Sequence, residues 1–325
     1  MNTEYTQYKE DVNSTFDAAM EKQETKKNLG HVDVTKGVSH QIDENDPEYQ
    51  RMKQFAGFID LPVENFPSKG RFYREDLSVK IRPALVKEIR NFSMIDETNL
   101  RDVDEKLNDI LVSCVKVTFG DTIGSYKDLL EEDRLYVILS VRELTFKNGE
   151  NKIMMPINKK CECGGCADSY ELRTENIQCY TPDDSIEKYY DASIRGYRIA
   201  TKNYGEIIMA PPTIGVMRAI QAWATKQEEE HKQWDKSIFQ LVPYLVREWR
   251  GFDERNIMAF ATNIAGWDAM KFSIVFKIAE SIKVGIKPEF SYTCEKCGGT
   301  ITVPLSFQGG LRNLFVVSDI TNELL

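Results

Sequence analysis

Cys161-Glu-Cys-Gly-Gly-Cys166 and Cys294-Glu-Lys-Cys-Gly-Gly299 are the two stretches on which the reading of the fold turns. In the second, Cys294 and Cys297 stand three residues apart and two glycines follow. That spacing lets both sulfurs face one ion while backbone N–H groups bond back to them, and a glycine takes the positive φ that so tight a turn requires. Two thiolates fill only half of a tetrahedral shell. The 161–166 cluster supplies the other half: Cys163 and Cys166 have the same spacing, and Cys161 is an alternative ligand if the two stretches align with a one-residue deletion. The expectation is a structural zinc site of four cysteines, Cys163, Cys166, Cys294 and Cys297, closed to water and therefore non-catalytic.

The separation of the pairs carries the argument further. A self-contained zinc ribbon places its pairs about 15–20 residues apart, whereas 127 residues lie between Cys166 and Cys294. One ion then staples the end of one half of the chain to the end of the other. Closing the longer loop costs only about 1.8 kcal/mol more than closing a 16-residue one. Structural zinc supplies roughly 10–16 kcal/mol of apparent binding free energy in small peptides, so the metal term dominates. The alternatives are a redox CxxC, which lacks a thioredoxin-like βαβ setting, a local site recruiting Cys179, and thiols with no shared role. Of the seven cysteines, Cys114 lies on the apolar face of a predicted helix and reads as a core residue. Cys179 has no partner at ligand spacing.

Outward from the cysteines, each turn is flanked by strand patterns, Ile153–Ile157 and Tyr170–Leu172 around the first, Glu289–Tyr292 and Thr300–Leu305 around the second. Upstream of the first turn, Leu77, Val79 and Ile81 alternate as in a half-buried strand. Leu107, Ile110, Leu111, Cys114 and Val115 share one helical face, and Asp133 is a candidate N-cap for a helix through Leu144. Upstream of the second, Tyr197–Ile199 and Glu206–Met209 predict a hairpin. Helices follow from Ile214 to about Gln227, from Asp235, after Asp253 and from Trp267. A stripe running from Ile238 to Trp249 contains Pro243, which should kink or divide it.

Both halves thus run hairpin, proline, helices, strand, cysteine turn, strand, at an offset of about 130 residues. The expected fold class is α+β: two similar halves, each a β-hairpin plus helical bundle ending in a zinc-knuckle strand pair, joined by a zinc-ribbon-like site. The expected domains are an acidic, flexible N-terminal extension over 1–55, a first half over 56–180 and a second over 181–325.

The net charge of −9 is concentrated at the start of the chain. Residues 1–50 hold eleven acidic and five basic side chains, a balance of −6, which leaves −3 for residues 51–325. A nearly neutral body permits extensive protein contacts. No apolar run reaches the roughly 18 residues of a membrane helix, and the N-terminus lacks the basic and apolar regions of a signal peptide, so the chain is expected in the cytoplasm where it is made. Of the three histidines, His31 and His40 fall in the extension and His231 in a charged stretch, none at ligand or triad spacing. There is no GxxxxGK[ST], no GxGxxG after a strand and no HExxH. The acidic runs Glu131-Glu132 and Glu228–Glu230 read as solvated helix ends. Catalysis has no support in the sequence.

With those residues in view, the chain resembles the myovirus baseplate protein family, which includes the baseplate hub assembly chaperones of T-even-like bacteriophages. The resemblance covers roughly residues 60–310 and rests on FPSKGRFY (Phe66–Tyr73), SVKIRP (Ser78–Pro83), EEDRLYVILSVRELTF (Glu131–Phe146), APPTIG (Ala210–Gly215) and the two cysteine turns. Two departures stand out: the compressed CECGGC in place of a plain CxxCG, which leaves the ligands among Cys161, Cys163 and Cys166 open, and the long acidic extension. The resemblance implies a tail protein acting in baseplate or hub assembly, as a chaperone or a retained subunit. It would be found in the host cytoplasm during assembly and in the virion tail baseplate, and its partners would be other baseplate or hub proteins rather than a small-molecule substrate or a membrane. The competing reading is a zinc-ribbon nucleic-acid-binding or transcription-associated factor. That reading needs a basic stripe beside the knuckles, because counterion release requires clustered Lys and Arg. Lys159 and Lys160 are there, but Glu162, Asp168, Glu289 and Glu295 surround the turns, which disfavours nucleic acid.

Overall fold

Period-two burial sets the first sheet. Along β2 (Leu77–Ile81) the side chains of Leu77, Val79 and Ile81 are buried while Ser78 and Lys80 are half-buried. β1 (Ile59–Asp60) and β3 (Val115–Phe119) pair antiparallel on its two sides, with Val79 opposite Val117, and β4 (Thr122–Ile123) extends the sheet beyond β3. The computed structural model describes residues 57–146, 153–157, 163–164, 167–307 and 310–315. All fall within one compact unit, Phe55–Leu325. The acidic extension expected over 1–55, with His31 and His40, lies outside the described residues, as do Cys161 and Cys166.

Two helices, α1 (Val86–Ser93) and α2 (Leu100–Cys114), connect β2 to β3. The Asn99 side chain accepts the Arg101 N–H at 3.1 Å and caps α2. The apolar stripe of α2 stops one residue earlier than its periodicity predicts. Val115 opens β3, because Val115-Lys-Val-Thr-Phe119 is a β-branched and aromatic run with a pairing partner waiting in β2. At the centre lies α3 (Arg134–Thr145), buried at nearly every position from Tyr136 to Leu144, as expected of a helix surrounded by core. Its Arg142 Nε–H donates to the Leu314 carbonyl at 2.6 Å, tying in the chain's far end.

β5 (Ile153–Pro156) and β6 (Ser169–Leu172) form a separate hairpin. After the short α4 (Asp184–Glu187) comes a three-stranded sheet of β7 (Tyr190–Asp191), β8 (Gly196–Thr201) and β9 (Gly205–Met209). Four helices follow: α5 (Ile214–Glu229), α6 (Lys236–Leu245), α7 (Glu254–Ala265) and α8 (Ala269–Ser281). Each is capped by the residue before it. Thr213, Asp235, Asp253 and Asp268 accept backbone N–H groups of their first turns. The hairpin of β10 (Glu289–Thr293) and β11 (Thr300–Pro304) closes the order. The fold class is therefore α+β, with several small antiparallel sheets and eight α-helices among the described residues. The helical stripe read as far as Trp249 is cut short: α6 ends two residues after Pro243, whose missing N–H weakens the ladder. Trp249 instead turns back, donating its Nε1–H to Asp128 at 2.7 Å and packing on Gly215, where a Cβ would lie 2.4 Å from the indole.

Segments far apart in sequence meet at Asp133. Asp133 holds the expected N-cap position of α3 but does not act as a cap, and Glu131-Glu132, expected as solvated helix ends, are half-buried. Asp133 is fully buried and makes no capping bond. Its carboxylate accepts the Ser68 N–H at 2.9 Å, the Ser68 hydroxyl at 2.5 Å and the Tyr73 hydroxyl at 2.7 Å. The Tyr73 oxygen in turn accepts the Leu130 N–H at 2.8 Å. Opposite, Glu131 N–H donates to the Pro212 carbonyl at 3.0 Å and Ile214 N–H to the Leu129 carbonyl at 2.8 Å. FPSKGRFY, EEDRLY and APPTIG are thus three sides of one buried junction. Glu131 pairs with Arg134 at 3.1 Å. The Glu132 residue is half-buried, but its carboxylate oxygen Oε2 is shielded from solvent and has no hydrogen-bond partner among the described residues. The run Glu228–Glu230 is exposed, as read.

Burial holds the Glu132 carboxyl well above the usual carboxylate range, the Asp133 and Glu131 charges adding to it, and pushes Asp133 up to about 6 against the opposing Ser68 and Tyr73 hydrogen bonds. Both folded-state values exceed the unfolded ones, so both groups contribute stability at low pH that is lost as pH rises through the folded values. Glu132→Gln removes one of these titrations, and its melting temperature is expected to fall less than that of the unaltered chain between pH 5 and pH 8. Tyr73→Phe leaves the Leu130 N–H and one Asp133 bond unmade, and urea unfolding should show a loss of about 1–3 kcal/mol.

Candidate metal centre

Two hairpins that are far apart in sequence lie face to face. Tyr170 of β6 sits 4.7 Å from the ring of Phe290 and 5.8 Å from that of Tyr292, both on β10. Such aromatic pairs add about 0.5–1.5 kcal/mol each beyond the area they bury. The segment after β6 reinforces the contact through its backbone. Tyr180 N–H donates to the Gly285 carbonyl and Lys287 N–H to the Gln178 carbonyl, each at 2.8 Å. The Gln178 side chain then acts as a further rung, donating to the Ser291 carbonyl at 2.8 Å and accepting the Ser291 N–H at 3.1 Å. Asp183 N–H donates to the Ser281 carbonyl at the end of α8. This zip sets the register of one hairpin against the other.

The turn between β10 and β11 is a knuckle. Cys294 N–H donates to the Gly299 carbonyl at 2.9 Å, Gly298 N–H to the Cys294 carbonyl at 2.8 Å, and Gly299 N–H to the Cys297 sulfur at 3.4 Å. Gly298 has φ +70°, the left-handed value that a Cβ would strain. Gly164, after Cys163, has φ +62° and repeats the turn chemistry on the other side.

The sulfurs of Cys163, Cys294 and Cys297 all lie within 4.8 Å of one another, and those of Cys163 and Cys294 are 3.7 Å apart. With Zn–S bonds of about 2.3 Å, the edge of a tetrahedral site is about 3.8 Å. Soft sulfur donors at that spacing fit zinc, with Cys294 fully buried and Cys163 and Cys297 exposed at the rim. Cys166 and the alternative ligand Cys161 lie outside the described residues, so the fourth donor is not seen. Neither Cys179 nor His231 belongs to the group. Cys114 is a core residue, and burial pushes its thiol up to about 12. Cys179 is half-buried, and burial also raises its thiol. The reading of the sequence gave no structural role to Ser68 and Tyr73 and saw Asp133 only as a helix cap, whereas the three form a buried polar junction. Ser68 and Tyr73 stand in the mixed motif FPSKGRFY beside Lys69 and Arg71, and nothing in that pattern marks them for burial.

The described residues make a multi-sheet α+β body with a buried polar junction and a cluster of three thiols at the tips of two hairpins. The chain belongs to the T4 bacteriophage base plate protein family, whose family model matches residues 59–266. The match spans the Asp133 junction and Cys163 and ends before the Cys294 knuckle. No curated protein and no solved structure is significantly similar to the chain. Among the described residues no helix is long and apolar enough to cross a membrane.

Thiolate character and access govern cysteine reactivity. In the metal-stripped protein, Cys163 and Cys297 should be alkylated first, Cys294 more slowly, and Cys114 only on unfolding. Timed alkylation with peptide mapping tests that order; early labelling of Cys114 would contradict it.

Proposed function

We propose that the protein is a non-catalytic component of the phage tail baseplate, acting in baseplate or hub assembly as a chaperone or a retained subunit. In this reading a structural zinc ion bound by Cys163, Cys166, Cys294 and Cys297 stiffens it, with Cys161 as the alternative fourth ligand. The carrying observation is the convergence of Cys163 with Cys294 and Cys297 at ligand spacing, across 131 residues of a chain in the baseplate family. Zinc in such a shell supplies a fixed cross-link and no open position for chemistry.

The rest follows from what assembly demands. A protein that holds partners gains affinity by losing less conformational freedom on binding. The backbone zip already aligns the hairpins, and the ion adds a second restraint at their tips. Each hairpin terminates a run of strands and helices, which supports two similar halves, 56–180 and 181–325, arising from one duplicated unit. The copies have diverged: the first has a four-stranded sheet that includes β3 and β4, the second a three-stranded one. Other baseplate or hub proteins are the expected partners, in the host cytoplasm during assembly and in the tail of the virion.

The test is affinity capture of the tagged full-length chain from infected cells, with mass spectrometry of both the captured proteins and purified virions. Recovery of other tail proteins is expected, reduced by Cys294→Ser together with a lower melting temperature. Salt-sensitive retention on DNA-cellulose without tail proteins would overturn the reading in favour of a nucleic-acid-binding factor.

A further inference from the structure

The thiol cluster has a second chemistry available to it. Disulfides persist in oxidising surroundings and thiolates in reducing ones. A baseplate component that leaves the cell with the particle passes from one to the other. We propose that Cys163 and Cys294 are an oxidation site: a peroxide joins them in a disulfide that replaces the metal cross-link with a covalent one between the same hairpins. The proposal rests on the baseplate reading for the change of surroundings, and on geometry alone for the bond.

The geometry brings this pair within reach. Their sulfurs stand 3.7 Å apart and must close to about 2.05 Å. On the Cys163 side Gly164 follows with positive φ, and a Cβ built there would meet nothing within 4 Å among the described residues, which leaves that turn room to move. Cys297 is held back in its own turn by the Gly299 N–H. Exposure divides the roles. Cys163 is exposed and meets the oxidant first, whereas Cys294 is buried beside it. The remaining described thiols, Cys114 and Cys179, are disfavoured as thiolates by burial.

The steps balance. The Cys163 thiolate attacks one peroxide oxygen; the O–O bond breaks, leaving a sulfenic acid on Cys163 and a hydroxide that takes up a proton as water. The Cys294 thiolate then attacks the sulfenic sulfur, the S–S bond forms, and the second oxygen leaves as hydroxide and is protonated to water. In sum, two thiols and one hydrogen peroxide give one disulfide and two waters, two electrons passing from sulfur to oxygen.

The test treats the purified full-length chain, stripped of metal by a chelator, with one equivalent of hydrogen peroxide. Non-reducing digestion and mass spectrometry then map the links. The expected product is dominated by the peptide pair joining Cys163 to Cys294; it is lost in Cys163→Ser and retained in Cys297→Ser. A link confined to Cys294 and Cys297 or to Cys163 and Cys166, or sulfinic and sulfonic acids without a cross-link, would overturn the proposal. The metal reading fails separately: a chain that takes up no zinc yet forms the 163–294 link refutes that reading and supports this one.

Discussion

A single buried carboxylate fixes how the main segments of the body meet. Asp133 sits without solvent contact and takes three hydrogen bonds from Ser68 and Tyr73, residues 65 and 60 positions away. Removing a charge from water is costly unless its oxygens are satisfied, so a fold that buries Asp133 must also bring the Phe66–Tyr73 loop against the start of α3. The backbone pairing of Leu129–Glu131 with Pro212–Ile214 then brings the segment leading into α5 to the same point. Arg134, beside it, reaches Asp104 on α2 at 2.5 Å, and Trp249 and Arg250 both donate to Asp128. Segments from along the described chain are referenced to one short stretch, Asp128–Arg134.

The hairpins inherit their placement from that junction. α3 carries the chain from Asp133 toward β5, and the Gln178–Ser291 rungs and the Tyr170 contacts lock β6 to β10. Cys163 and the Cys294 knuckle are then brought together at the tips. The order of causation matters for function. Because hydrogen bonds and packing set the register, a metal bound at the tips would only have to restrain what is already aligned, and its removal would loosen a corner of the molecule without dissolving the core. That hierarchy suits a family whose members are parts of a larger assembly.

What could be read in the sequence was mostly local. Asp235 and Asp253 announce helix starts because capping depends on the next three residues alone, while the helix expected from Trp267 starts at Ala269, capped by Asp268. The strands around each cysteine turn were visible in period-two alternation, and the knuckle in its glycines. The features that escaped depend on distant partners. The strand Val115–Phe119 was hidden by a helical stripe running into it, and only pairing with β2 decides where the helix stops. Asp133 and Glu132 look like any acidic helix start; their burial is imposed by Ser68, Tyr73 and the packing of Gly285 against Glu132. Trp249 continued a helical pattern past Pro243 but belongs to Asp128. The motifs FPSKGRFY, EEDRLY and APPTIG could be noticed as marks of a family, while the reason they recur together is visible only where they touch.

The central claim is that sulfurs from two remote hairpins share one ion. X-ray absorption at the zinc edge of the purified, zinc-loaded full-length chain, with metal content measured on the same sample, tests it most directly. The account predicts one zinc per chain in a shell of four sulfurs at about 2.3 Å. Substoichiometric metal, or a shell dominated by nitrogen and oxygen, would contradict it.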